Sequence, residues 1–172
     1  MHLSATGDPV QIAYLTDDVE QAALGWAKRG AGPFFLRTSS GEDITDPASP
    51  DPSTIVTALG QWGALMVELI LRSPNAPKLF WEPALANHGI HHIASFANDF
   101  EVLLRELEKG GPPVALALRN ARGNRTVFLD TRGETGHYFE IYEPHPGLFA
   151  VYDMVREAAL GWDGRDPLRL AQ

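Results

Sequence analysis

The chain has 172 residues, with 14 Lys and Arg against 22 Asp and Glu for a formal net charge of −8, and it contains no cysteine. That length suits one domain with a substantial core, while the missing thiols exclude disulfides, thiolate zinc sites and cysteine nucleophiles. The acidic balance disfavours nucleic acid or an anionic membrane as partner, and with no signal-like amino terminus and no bilayer-length apolar run the expectation is a cytoplasmic protein acting on a small molecule.

The first predicted unit covers residues 9–74. It opens on an apolar strand, QIAYLT from Gln11, and then breaks at Asp17 and Glu20, which have capping-box spacing. The helix that follows, DVEQAALGWAKRG, sets Val19, Ala22, Ala23 and Trp26 on one face and stops at Gly30. Three strand-like stretches complete the unit: GPFFLRT, STIVTALG and GALMVELILRS. Between the first two, Ser39 to Ser53 is rich in Pro, Ser, Asp and Gly and reads as a loop. Residues 75–88 form a linker with a short turn or helix at Lys78 to Trp81. The second unit, residues 89–146, repeats the order. HIASFA from His92 is a strand, Asn98 and Glu101 mark a cap, and DFEVLLRELEKGG places Phe100, Leu103, Leu104 and Leu107 on one helical face. Strands PPVALALRN, RTVFLDTR and GHYFEIYEP follow. Residues 147–172 are an amphipathic helix, with Leu148, Phe149, Tyr152, Val155 and Ala159 roughly on one side, and a tail.

The two units are copies. An offset of 81 residues carries Gln11 onto His92, Ile12 onto Ile93, Ala13 onto Ala94 and Asp18 onto Asp99, and an offset of 72 carries Glu68 onto Glu140 and Pro74 onto Pro146. The predicted fold is therefore α+β, a tandem of βαβββ modules with an added C-terminal helix, within a single domain over residues 1–172.

The repeat singles out two matched pairs, Gln11 with Glu68 and His92 with Glu140. Each joins the residue opening a unit's first strand to a glutamate inside its last. A lone strand glutamate usually faces solvent, a lone glutamine is usually a surface residue, and a lone histidine is usually structural. Matched placement in both copies points instead to a shared site. One imidazole nitrogen and three oxygens suit a divalent cation such as Zn, Ni, Co, Mn, Fe or Mg, with positions open for water or substrate. His91 adjoins His92, and the alternation of strand side chains turns it to the opposite face, as packing or as support for the ligand.

The duplicated βαβββ unit, QIAYLTDDVEQAALGWA, GIHHIASFANDFEVLLRELEKGG and TGHYFEIYEP together resemble the vicinal oxygen chelate superfamily, which includes glyoxalase I, methylmalonyl-CoA epimerase, extradiol dioxygenases and the bleomycin-resistance proteins. The resemblance covers about residues 9–146. It implies an open, cup-like barrel around a metal held by Gln11, Glu68, His92 and Glu140, a set closest to glyoxalase I. By that analogy the reaction is a metal-dependent isomerisation, epimerisation or lyase step on a small carbonyl or hydroxy-carbonyl compound through a metal-stabilised enediolate. Glu140 would be the base, with Glu68 second. Physical chemistry agrees that proton abstraction beside a carbonyl needs charge stabilisation and a positioned base. Met66, Phe96, Tyr138 and Tyr142 are expected to contact the substrate, which is then apolar or aromatic. Family habit implies a homodimer; whether glutathione or a coenzyme A thioester takes part is left open. The alternatives are a metal-free protein that sequesters a small molecule, and an extradiol dioxygenase, disfavoured because Gln11 stands where a second histidine would be required.

Overall fold

The computed structural model describes residues 4–39, 54–81, 89–120 and 123–171. The predicted loop lies outside these residues except at Ser39. In the first unit β1 (Thr6–Thr16), α1 (Val19–Ala27), β2 (Phe34–Ser39), β3 (Ile55–Trp62) and β4 (Leu65–Leu71) follow the expected order. A single 3-10 turn at Lys78–Phe80 leads to the second: β5 (Ile90–Ala97), α2 (Phe100–Glu108), β6 (Val114–Arg119), β7 (Arg125–Leu129), a short α3 (Arg132–Thr135) and β8 (Tyr138–Tyr142). Then come α4 (Pro146–Ala159) and β9 (Leu168–Leu170). No helix among the described residues is long and apolar enough to cross a membrane.

These strands form one sheet in the order β6-β7-β8-β5-β1-β4-β3-β2-β9. Its midline is the antiparallel β1–β5 pair, flanked by the parallel pairs β1–β4 and β5–β8. Each half is thus the other's image across the midline, as the sequence repeat requires. The outer face of the first half carries Val67 and Leu69 beneath Val19 and Ala23 of α1; that of the second carries Val127, Leu129 and Ile141 beneath Phe100 and Leu103 of α2. The inner face bears Met66, Glu68 and Ile70. Both faces of β4 are covered, so its sequence is almost uninterruptedly apolar and a carboxylate in it stands out.

Both helix starts correct the expected caps by one residue. Asp18 accepts from Gln21 N at 2.9 Å and Asp99 accepts from Val102 N at 2.9 Å, each from an extended backbone. Glu20 and Glu101 consequently fall in the first turn, facing the helix dipole, and Glu101 pairs with Arg125 across to β7 at 2.6 Å. Replacing Asp99 by alanine is expected to lower stability by about 1 kcal/mol, read as a reduced urea midpoint with unchanged slope.

The carboxyl tail is more than a helix with a loose end. α4 starts at His145, whose Nδ1 accepts from Gly147 N at 3.0 Å. Its Val155 is buried against Leu59 and Met66, with Val151 and Tyr152 beside them. β9 then returns parallel to β2, pairing Phe34 with Leu168 and Leu36 with Leu170, and so covers backbone groups that an edge strand would leave open.

Candidate metal centre and active site

Strand register explains why the polar residues meet. Ala13 of β1 is opposite Glu68 of β4 and His92 of β5, while Gln11 is opposite Met66 and Ala94. In the second half Ala94 is opposite Glu140. The side chains of Gln11, Glu68, His92 and Glu140 therefore share the inner face around two alanines, whose small side chains leave room above them. They open into a cavity of about 390 Å³.

One ligand atom each from Glu68, His92 and Glu140 lies within 4.8 Å of the other two. His92 Nε2 is 2.9 Å from Glu140 Oε2 and 3.4 Å from Glu68 Oε2. Neither contact has the direction of a hydrogen bond, so the buried nitrogen is close to two oxygens without donating properly to either. Three converging donors and a misaligned imidazole nitrogen fit a divalent cation held between them. Gln11 completes the group differently. Its Nε2 donates to Glu68 Oε2 at 2.6 Å, and its Oε1 faces the hydroxyls of Tyr142 at 2.8 Å and Tyr152 at 2.5 Å. To ligate a cation through oxygen the amide must turn over. Both tyrosine hydroxyls accept as readily as they donate, so the turned amide also keeps partners.

The electrostatics follow from burial and proximity. His92 would lose its charge to burial alone, but Glu140 and then Glu68 outweigh that and hold its pKa up at about 9. Burial raises the Glu140 carboxyl above its ordinary value, the charge on Glu68 adds to this, and His92 opposes it. Burial also raises Tyr142 and Tyr152 well above the usual phenol value, reinforced by Glu140, so both stay protonated donors. His91 moves the other way: burial, then the charge on His92, push it down to about 3, and it is neutral.

Of the side chains expected to touch substrate, Met66 and Tyr142 line the cavity, whereas Phe96 and Tyr138 do not. Phe96 packs at a tilt against Phe149 at 4.7 Å and edge-on against Tyr152 at 5.3 Å, and so holds α4 in place. Tyr138 packs between His91 at 5.3 Å and the Arg132 guanidinium at 4.6 Å. A second departure concerns His91. Alternation puts it behind the sheet, yet His91 Nδ1 is 2.8 Å from His92 Nδ1. The cause is a bulge: Ala13 pairs with His92 but Tyr14 pairs with Ile90, so His91 is an extra residue in β5 and its ring turns to the His92 side.

Sequence reading missed three contributors. Tyr152 sits on the apolar side of α4, and its hydroxyl was the available signal; that α4 covers the cup was not legible. Phe128 lines the cavity and makes an edge contact with His92 at 5.3 Å. Arg37 of β2 also lines it and has no carboxylate partner among the described residues, unlike Arg125, which is paired with Glu143 and Glu101 at 2.6 Å each.

No family model and no curated protein sequence matches the chain. Solved structures do. Methylmalonyl-CoA epimerase from Mycobacterium tuberculosis aligns over 87% of this chain and 96% of its own, at 17% identity and TM-score 0.59. The Streptomyces coelicolor methylmalonyl-CoA epimerase in complex with 2-nitronate-propionyl-CoA aligns over 83% and 97%, at 16% identity and TM-score 0.57. A hypothetical protein from Bacillus halodurans C-125 covers 80% and 94%, at 20% identity and TM-score 0.53. The shared property is the fold, two βαβββ units side by side in one sheet.

Proposed function

We propose that the protein is a divalent-metal-dependent isomerase or epimerase, with a lyase of glyoxalase type as the neighbouring variant, acting on a small carbonyl compound. The observation that carries this reading is the convergence of His92 Nε2 with carboxylate oxygens of Glu68 and Glu140 at the base of a cavity. These three residues would hold the metal, with Gln11 as the fourth. When bound, the metal supplies a Lewis acid that stabilises negative charge developing beside a carbonyl.

The chain's own groups supply the rest. Glu140 is the base: its contacts with Tyr142 and His92 both fall on Oε2, which leaves Oε1 to take and return a proton. In the metal-free protein burial raises this carboxyl above its ordinary value, and a carboxylate within hydrogen-bond reach of the substrate can serve as the base. Glu68 is the second candidate. α4 contributes Leu148, Val151 and Tyr152 to the cavity wall, and Glu140 is buried at 5% exposure. Met66 and Phe128 offer apolar contact, and Arg37 offers a seat for a carboxylate or other anionic group. A coenzyme A thioester, the ligand class named for one structural neighbour, is one candidate for such a substrate. The reading carries with it a homodimer, taken over from the family resemblance, and a cytoplasmic location, taken over from the sequence expectation.

The test is solvent exchange. Protein loaded with Co²⁺ or Zn²⁺ is incubated in D2O with a panel of acyl thioesters, 2-hydroxy carbonyls and β-dicarbonyls, and the carbon next to the carbonyl is followed by proton NMR. The expected result is deuterium incorporation into at least one class, abolished by chelator. Metal-loaded protein that exchanges none of them overturns the reading and favours a sequestering role.

A further inference from the structure

We infer that His91 is a positioning residue for the metal centre: it accepts from His92 Nδ1 and donates to the Leu79 carbonyl, and so fixes His92 in the form that presents the Nε2 lone pair to a cation. The inference rests on the metal-site reading above and adds to it a role for a residue outside the ligand set.

The direction of this relay follows from what each atom can do. His91 Nε2 lies 3.0 Å from Leu79 O, and a carbonyl oxygen only accepts, so Nε2 must carry the hydrogen. A neutral imidazole has one such hydrogen. His91 Nδ1 is therefore a bare acceptor, and it lies 2.8 Å from His92 Nδ1, which must donate. His92 thus keeps its proton on Nδ1, and Nε2, next to Glu68 and Glu140, is the ligand atom. The reverse arrangement would bring two N–H groups, or two lone pairs, into contact.

The surroundings leave His91 little freedom to do otherwise. It is 2% exposed and His92 is 1% exposed, so water cannot substitute for either partner. Its ring is held between Phe80 and Tyr138, each at 5.3 Å between centroids. The bulge at His91 brings its ring to the His92 side, and the 3-10 turn at Lys78–Phe80 brings the Leu79 carbonyl to the ring. In the first module the equivalent of His91 is Val10. That asymmetry makes chemical sense: its neighbour Gln11 is an amide with no tautomer to fix, whereas an imidazole ligand must have its second nitrogen held.

The test combines ¹⁵N NMR of the histidine side chains with Co²⁺ titration of full-length protein. In Zn²⁺-loaded protein, His91 is expected to be protonated on Nε2 and bare on Nδ1, with His92 protonated on Nδ1. His91 protonated on Nδ1 overturns the inference. His91→Phe preserves ring packing but removes both hydrogen bonds, and should weaken Co²⁺ binding roughly 10- to 100-fold. His91→Gln, which can accept and donate at similar spacing, should recover much of that loss. Equal affinity in His91→Phe and the parent overturns the role of His91 while leaving the metal site intact; a parent protein that binds no Co²⁺ overturns the metal-site reading itself. If His91→Phe fails to fold, the tautomer assignment in the parent decides alone.

Discussion

Replacing His92 by alanine is expected to lower affinity for Co²⁺ or Zn²⁺ by more than about 100-fold and to destabilise the metal-free protein by about 3–5 kcal/mol. The first effect removes the one nitrogen donor. The second arises because His92 is buried between Glu68 and Glu140; without it two carboxylates face each other with no positive partner, and Glu140 must take up a proton to remain buried. The parent protein should also show a characteristic pH dependence. His92 keeps its proton up to about pH 9 when no metal is bound, so at neutral pH a cation must displace that proton. Affinity then rises about tenfold per pH unit from 7 towards 9 and levels off above. Calorimetry in buffers of different ionisation heat should record proton release on metal uptake at pH 7. Binding without proton release, or undiminished binding by His92→Ala, contradicts the assignment of Nε2 as ligand.

The second large effect concerns proton transfer. Glu140→Gln keeps the shape of the side chain and an oxygen for Tyr142 to donate to, so folding should be preserved. With the base gone, deuterium exchange into a substrate should fall about 10²- to 10⁴-fold. Glu68→Gln is the comparison. Glu68 is the more exposed of the two, at 15% against 7% of the side chain. If Glu68→Gln abolishes exchange while Glu140→Gln keeps it, the two carboxylates have exchanged roles. Because both carboxylates are ligands, exchange is compared at Co²⁺ concentrations that saturate each variant, and the loss that remains at saturation reports the base.

Two polar pairs in apolar strands are legible in the sequence because a duplicated module shows its own exceptions. Glu68 falls between Val67 and Leu69 on a strand covered on both faces, and Glu140 falls likewise between Phe139 and Ile141. The caps were legible only to within one residue, since Asp17 and Asp18 are adjacent and either can begin a helix by composition. Backbone dihedrals chose Asp18. His91 was misplaced for a physical reason: strict alternation holds only while both strands advance one residue at a time, and a bulge breaks that count. Phe96 and Tyr138 were expected at the substrate because aromatics near a site suggest contact. One instead braces α4 and the other braces His91.

By itself the sequence determined the module and its copy, the helical and sheet faces, and the four polar positions that the copies share. These depend on periodicity and local spacing, which a chain carries in its order of residues. Tertiary structure decided how those positions are completed. Tyr142 and Tyr152 reach Gln11 from 131 and 141 residues away, α4 closes over the cavity, β9 pairs with β2, and a bulge turns His91 toward His92. None of these has a local signature, because each is settled by which distant surface leaves the fewest polar groups unpaired and the least apolar area in water.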